Sequence, residues 1–387
     1  MKNYNFLQQA FVVNTYVNRG LTLVKGEGVY LYDENGNKYL DLMSNYGVNI
    51  LGHSHSLITK HLSDQLGKLT VLHGSFASDT RAEAAFQLVK RCGGELLQVY
   101  FSNSGAEAVE AALKFAVLAT GKKKFISASH GYHGKTLGAL SATYGDKYKK
   151  MFSPLLWDFE FVEHGNTESL EKAVTPDVAA FIVEPIQGEG GIYTPPSDYL
   201  QKVREVCDKH NILLILDEIQ TGCGRTGTFL ASQKSKIRYD IVCMGKGLAG
   251  GLPIGATLVS KEIAVKIPKQ IHTSTFGGNP LACAGIIATL ELLSEEMMAH
   301  VQEMGTYFIS QLKTITSPLV SDVRGQGLMI GLEMKDKRNE VLKALQIHTI
   351  LAIPAGENVV RFLPPFIIQK KHIDEVITVL NTILKDL

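Results

Sequence analysis

Leu213-Leu214-Ile215-Leu216-Asp217-Glu218-Ile219-Gln220 is followed along the chain by Tyr239-Asp240-Ile241-Val242-Cys243-Met244-Gly245-Lys246-Gly247. Each stretch is a short apolar run that stops abruptly, the first at a carboxylate and the second at a lysine between glycines. A continuous apolar run of this length reads as a strand buried on both faces, the pattern of a parallel sheet. Open α/β sheets bind ligands outside the carboxyl ends of their strands, which is where Asp217 and Lys246 fall. One strand presents an acid and the next a candidate Schiff-base amine.

Working outward, further apolar runs at Val99–Phe101, Lys124–Ile126 and Ala179–Val183 alternate with helical periodicity from about residue 56 to 290. This alternation predicts a largely parallel sheet covered by helices. Val29 to Leu42 reads as a β-hairpin turning at Glu34-Asn35-Gly36-Asn37. Beyond 290 come a long amphipathic helix, a strand pair at Val320–Arg324 and Leu328–Glu333, a strand at Val359–Leu363 and a final helix from Lys371. The expected fold is α/β, with a mostly parallel sheet in a large domain (56–290), a smaller α+β domain (291–387), and an N-terminal segment (1–55) joining the latter.

A chain of 387 residues suits one large and one smaller core. Lys+Arg 39 against Asp+Glu 38 leaves a formal charge of +1, which gives no long-range pull toward nucleic acid or anionic lipid. No apolar stretch approaches a membrane span, and the N-terminus has no secretory h-region. The five cysteines are odd in number and widely separated with no CxxC pair, which points away from a disulfide framework or a zinc site and toward a reducing cytoplasm.

Four more loops bear on chemistry. In Val99-Tyr-Phe-Ser-Asn103-Ser104-Gly105-Ala106-Glu107 a strand turns into a helix through small residues, so a phosphate can reach the free N–H groups of the first helical turn. Ser104 with Glu107 also reads as a capping box, and both uses share the same helix end. Gly131-Tyr132-His133-Gly134-Lys135 places an aromatic ring between glycines, either as a platform for a planar cofactor or as a core tyrosine in a turn. Glu184-Pro-Ile-Gln-Gly-Glu189 is another strand-end loop, and Ser274-Thr275-Phe-Gly-Gly-Asn-Pro280 offers hydroxyls ahead of a Pro-started helix. A lysine Schiff base on one side and a carboxylate against a ring nitrogen on the other are the requirements of pyridoxal phosphate.

Together with Leu51-Gly-His-Ser-His55, these motifs give the chain, from about Tyr16 onward, a resemblance to the class III (ω-amino-acid) pyridoxal-phosphate-dependent aminotransferases of fold type I. The resemblance implies that Lys246 carries the cofactor and shuttles protons, Asp217 pairs the ring nitrogen and Gln220 bonds the phenolic oxygen. It implies that Tyr132 stacks on the ring, that Gly105 and Ala106 hold the phosphate, and that Thr275 reaches that phosphate from the other subunit of a homodimer with shared active sites. Tyr16, Tyr46, Lys135 and Ser274 fall where the family meets substrate; Arg361 would take the carboxylate of the 2-oxo acid, with Glu189 as its gate. No metal site is implied.

The Asn14-Thr15-Tyr16 opening looks most like the acetylornithine branch, so the expected reaction moves the terminal amino group of an N-acetylornithine-like donor to 2-oxoglutarate, as in arginine biosynthesis. Two positions depart from that branch: Lys135 stands where arginine is usual, as in putrescine enzymes, and Tyr46 stands where an aliphatic residue is usual, as in ornithine enzymes. Ornithine, putrescine and 4-aminobutyrate therefore stay open as donors, and an aminomutase or racemase of the same fold stays open as a different class.

Overall fold

Uninterrupted aliphatic sequence sets the centre of the molecule. The computed structural model describes residues 2–387, so Met1 of the expected N-terminal segment lies outside the described residues. Its strands are β1 (Leu23–Glu27), β2 (Tyr30–Asp33), β3 (Lys38–Asp41), β4 (Leu96–Ser102), β5 (Lys124–Ala128), β6 (Asp158–Val162), β7 (Val178–Val183), β8 (Leu213–Asp217), β9 (Ile241–Met244), β10 (Gly255–Ser260), β11 (Val320–Gln326), β12 (Met329–Met334), β13 (Ile350–Leu351), β14 (Ile353–Ala355) and β15 (Val359–Phe362). Every residue of β7, β9 and β10 is buried, as a sheet covered on both faces requires.

The seven-stranded sheet runs β4-β10-β9-β8-β7-β5-β6. Neighbours from β9 through β6 pair in parallel, whereas β10 is antiparallel to both β4 and β9. All five apolar runs singled out in the sequence are strands of this sheet. β6 and β10 are additional: β6 is a half-exposed edge strand, and in β10 glycine, threonine and serine dilute the apolar signal.

The N-terminal hairpin pairs β2 with β3, and its turn is held by Asp33 Oδ1, which accepts the N–H groups of Asn35 and Asn37. β3 then pairs in parallel with β13 near the other end of the chain, so the N-terminal segment is tied to the C-terminal part. β11-β12-β15-β14 form a third, antiparallel sheet, backed by the helices Glu295–Leu312 and Arg338–Ile347, on which the helix Lys370–Asp386 packs in turn. No helix among the described residues is long and apolar enough to cross a membrane.

The edges of β8 and β9 are locked by a buried charge. Asp240, 2% exposed, accepts from Arg204 Nη1 at 2.5 Å and from the Leu214 N–H at 2.8 Å, joining the helix Tyr199–His210 to both strands. Removing it strands a buried guanidinium with only Asp208 for company. Asp240→Ala is expected to cost about 3 kcal/mol of unfolding free energy in a denaturant titration; a loss within experimental error would show that this pair is not what holds the strands.

Candidate active site

Register brings the two diagnostic strand ends together. Asp217 of β8 lies opposite Cys243 of β9, so the chain leaves β9 beside the carboxylate. Gly245 follows in extended conformation and Lys246 turns back with a φ of 46°. A Cβ on Gly247 would come within 2.9 Å of Ile50, which is why the lysine must be followed by glycine. Burial lowers the pKa of the Lys246 amine, with Asp217 opposing the shift and Arg361 adding to it. The amine is thereby moved toward its nucleophilic, neutral form.

Asp217 is 3% exposed and is held by the Ile219 N–H at 3.0 Å and by His133 Nδ1 at 2.6 Å. His133 is itself fixed through its backbone N–H to Thr143 Oγ1, while its Nε2 is buried without a partner. Behind this pair lies Glu184, which accepts the N–H groups of Tyr132 and Gly188, both at 2.9 Å. Burial pushes the Glu184 carboxyl up to about 7, against the pull of His133 and with the push of Asp217. The loop carrying Tyr132 is thus fastened to the loop after β7. Burial also raises the Tyr132 hydroxyl to about 12, with Glu189, Tyr148, Tyr16 and Tyr46 contributing in that order.

Across the site stands Arg361, fully buried on β15. Its Nη2 donates to Glu189 Oε2 at 2.9 Å and to the Pro354 carbonyl at 3.1 Å, and its Nη1 to Gln220 Oε1 at 3.3 Å. The Tyr46 ring centre lies 5.2 Å from its guanidinium carbon, in cation–π range. Tyr46 reaches that position from an unusual backbone. Ser44, Asn45, Tyr46 and Gly47 all have positive φ, and Gly47 N–H to Met43 O and Val48 N–H to Ser44 O close a left-handed helical turn. For residues bearing a Cβ this conformation costs roughly 1–2 kcal/mol each.

At the far end, the helix Gly105–Thr120 leaves the N–H groups of Gly105 and Ala106 outside its own ladder. Ser104 Oγ caps the Glu107 N–H, while the Glu107 carboxylate reaches past Ser104 to the Asn103 N–H at 2.5 Å. Both halves of the expected capping arrangement exist, with the return bond shifted by one residue. Ile219 fills the space beside Gly105 and Gly245 so closely that a Cβ on Gly105 would stand 2.8 Å from it. Ser274 Oγ accepts from Asn103 Nδ2 at 3.2 Å, tying the Ser274–Pro280 loop to this helix end.

The fold therefore gathers Lys246, Asp217, Gln220, Arg361, Glu189, Tyr132 and Tyr46, with Gly105 and Ala106 on one flank. Thr275 is exposed, as is Lys135, and Tyr16 is 84% exposed. Three neighbours were not singled out in the sequence as site residues: His133, Glu184 and Tyr148. Tyr148 bonds Glu189 Oε1 at 3.5 Å, meets the Tyr132 ring edge-on, and has Lys135 Nζ 5.7 Å from its ring centre. His133 and Glu184 sit in loops already marked as strand ends, the signal that could have found them; nothing in the local sequence marks Tyr148.

The sequence profile described as aminotransferase class-III matches residues 12–384. Acetylornithine aminotransferase of Aquifex aeolicus is 43% identical over 97% of this chain and 100% of its own length. [LysW]-aminoadipate semialdehyde transaminase of Deinococcus radiodurans is 40% identical over 96% of this chain and 87% of its own. Among solved structures, ornithine aminotransferase of Toxoplasma gondii, with pyridoxal phosphate at partial occupancy in its active site, superposes with a TM-score of 0.94 at 32% identity, covering 99% of this chain and 94% of that one.

Glu184 supplies a test of the buried acid cluster. A carboxyl whose folded pKa is raised binds its proton more tightly in the native state, so its contribution to stability is present at low pH and is lost as pH rises from about 4.5 to about 7. Relative to Glu184→Gln, the cofactor-free protein should lose stability across that window, by at most on the order of 3 kcal/mol. Parallel stability–pH curves for the two proteins would show that Glu184 titrates as an ordinary carboxylate.

Proposed function

The chain belongs to the class-III aminotransferases, pyridoxal-phosphate-dependent enzymes of fold type I, and we propose that it transfers the terminal amino group of an N-acetylornithine-like donor to 2-oxoglutarate, giving a semialdehyde and glutamate. The observation that carries the reading is Arg361, buried and held between Glu189 and Tyr46 opposite Lys246.

The residues present fit the cofactor. A buried carboxylate in Asp217, an amine with lowered pKa in Lys246, and close-packed glycines at 105 and 245 beside free helical N–H groups form a matched set of donors and space. Lys246 would hold the cofactor aldehyde, Asp217 its ring nitrogen, Gln220 its phenolic oxygen, Gly105 and Ala106 its phosphate, and Tyr132 one face of its ring. When bound, pyridoxal phosphate supplies an amine-exchanging carbonyl and a protonated ring that accepts the electron pair left by proton removal. Asp217, oriented by His133, favours the protonated nitrogen because a buried anion stabilises an adjacent cation. Lys246 Nζ removes the proton from the amine-bearing carbon as general base.

Glu189 neutralises Arg361 while the amine donor is bound and moves off when the oxo acid brings its own carboxylate, so that one site serves two substrates of different charge. Ser274, Tyr16, Tyr46 and Lys135 line the donor's path. Lys135, lacking arginine's bidentate fork, would hold a distal carboxylate only as a point charge. Tyr46 keeps ornithine as an alternative donor, and the Deinococcus relative, a [LysW]-aminoadipate semialdehyde transaminase by name, adds a further one.

We further place the enzyme in the cytoplasm as a homodimer with shared sites, with 56–290 as the cofactor-binding domain, and 1–55 with 291–387 as the smaller one. All five cysteines are free and buried, chemistry at home in a reducing compartment. The helix Tyr4–Phe11 buries none of its residues, and Val17, Phe276 and Phe76 are also exposed, apolar surface that a partner subunit would cover.

Ranking acetylornithine, ornithine, putrescine and 4-aminobutyrate by kcat/KM with 2-oxoglutarate tests the reading; acetylornithine is expected first, and turnover that forms no glutamate would overturn the transaminase assignment. Thr275 should serve the partner's site. Lys246→Ala chains, expected to be inactive alone, mixed with impaired Thr275→Ala chains should then regain activity, because half of the sites in each heterodimer carry neither lesion. Demonstrated subunit exchange without recovery would place Thr275 in its own subunit's site.

A further inference from the structure

Building on the proposed reading, we propose that Asp41 and His53 are positioning residues for recognition of the acceptor's carboxylate: they lock the left-handed turn Ser44–Gly47, which presses the Tyr46 ring onto Arg361. Asp41, at the end of β3, is completely buried, and its Oδ1 accepts the N–H groups of both Met43 and Ser44 at 2.9 Å. These are the two donors at which the chain enters the turn. Its Oδ2 is occupied by His53 Nε2 at 2.8 Å.

His53 in turn is clamped by the N-terminal hairpin. Its backbone exchanges hydrogen bonds with Gly28, at 2.8 and 3.0 Å, and its ring lies so near Gly26 that a Cβ there would come within 2.5 Å of it. From the other side, Arg225, buried and with its pKa lowered to about 9 by that burial, lies behind Gly47. Strained backbone persists only where its surroundings over-determine it. Here the constraint runs from the hairpin to His53, to Asp41, to the turn, and ends on the Tyr46 ring 5.2 Å from the Arg361 guanidinium. A turn released from Asp41 can relax toward right-handed backbone and take Tyr46 off the face of Arg361, leaving Arg361 to Glu189.

The test uses the cofactor-loaded enzyme and a double-mutant cycle. His53→Leu is expected to raise KM for 2-oxoglutarate about tenfold, and to weaken calorimetric binding of glutarate in parallel, since a hydrogen bond to a charged group is lost. The absorbance of the loaded enzyme should stay unchanged. His53→Gln, which keeps a donor for Asp41, should restore most of the affinity. In a Tyr46→Ala background His53→Leu should add no further loss. Equal losses with and without Tyr46, or failure of His53→Gln to rescue, would overturn the proposal. If His53→Leu does not melt cooperatively, the cycle is run with Asp41→Asn, and the same additivity would overturn it. A wild type that binds glutarate but forms no glutamate fails the functional reading alone, whereas additive variants fail the positioning role alone.

Discussion

A carboxylate removed from water governs the architecture around the site. Asp217 sits at the buried end of a parallel strand, where an unpaired charge would be prohibitive. Its neighbours answer that cost: a backbone N–H from Ile219, the His133 ring and, within Coulombic reach, the Lys246 amine. The same burial depresses the amine and raises Glu184, so the fold shifts both groups in the direction of their neutral forms. The lowered pKa of Lys246 thus follows from the packing of the sheet.

A second anchor answers the first across the site. Arg361 is buried on the antiparallel sheet of the C-terminal part, yet its partners Glu189 and Gln220 come from loops of the large sheet. Its aromatic neighbour Tyr46 comes from the N-terminal segment, which β3 ties to β13. Three stretches far apart in sequence meet at one guanidinium. In the proposed exchange of Glu189 for a substrate carboxylate, the guanidinium itself would bear no new desolvation cost, because it is already out of water and already paired.

Lys135, one of the two departures from the acetylornithine pattern, sits beside an aromatic cluster. Lys135 is exposed, with its Nζ 5.7 Å from the ring centre of Tyr148, whose hydroxyl bonds Glu189 and whose ring meets Tyr132. In the proposed reading the donor therefore meets aromatic rings and an exposed point charge, whereas the acceptor carboxylate meets a buried guanidinium. Donor and acceptor are thus met by different kinds of contact that share Tyr46, so a change at that ring is expected to alter both.

The sheet was legible because its strands are unbroken apolar runs between turn residues, and the strand-end rule then placed Asp217 and Lys246 on one edge. Motif order made the family legible as well, since Glu184 to Glu189, Asp217 to Gln220 and Lys246 keep a spacing that one local reading could not supply. β10 was not legible, because glycine and threonine suit a strand packed against the helix Gly105–Thr120 but leave no periodic signal. Nor were the His133–Asp217 bond, the Glu184 shift or the left-handed turn under Tyr46 legible. Sequence carries the periodicity and local chemistry of each segment, which suffice for element type and for a candidate list. Which side chains share a buried space, which of them lose their water, and what backbone strain is held in place depend on contacts between segments remote along the chain, and only the tertiary structure decides those.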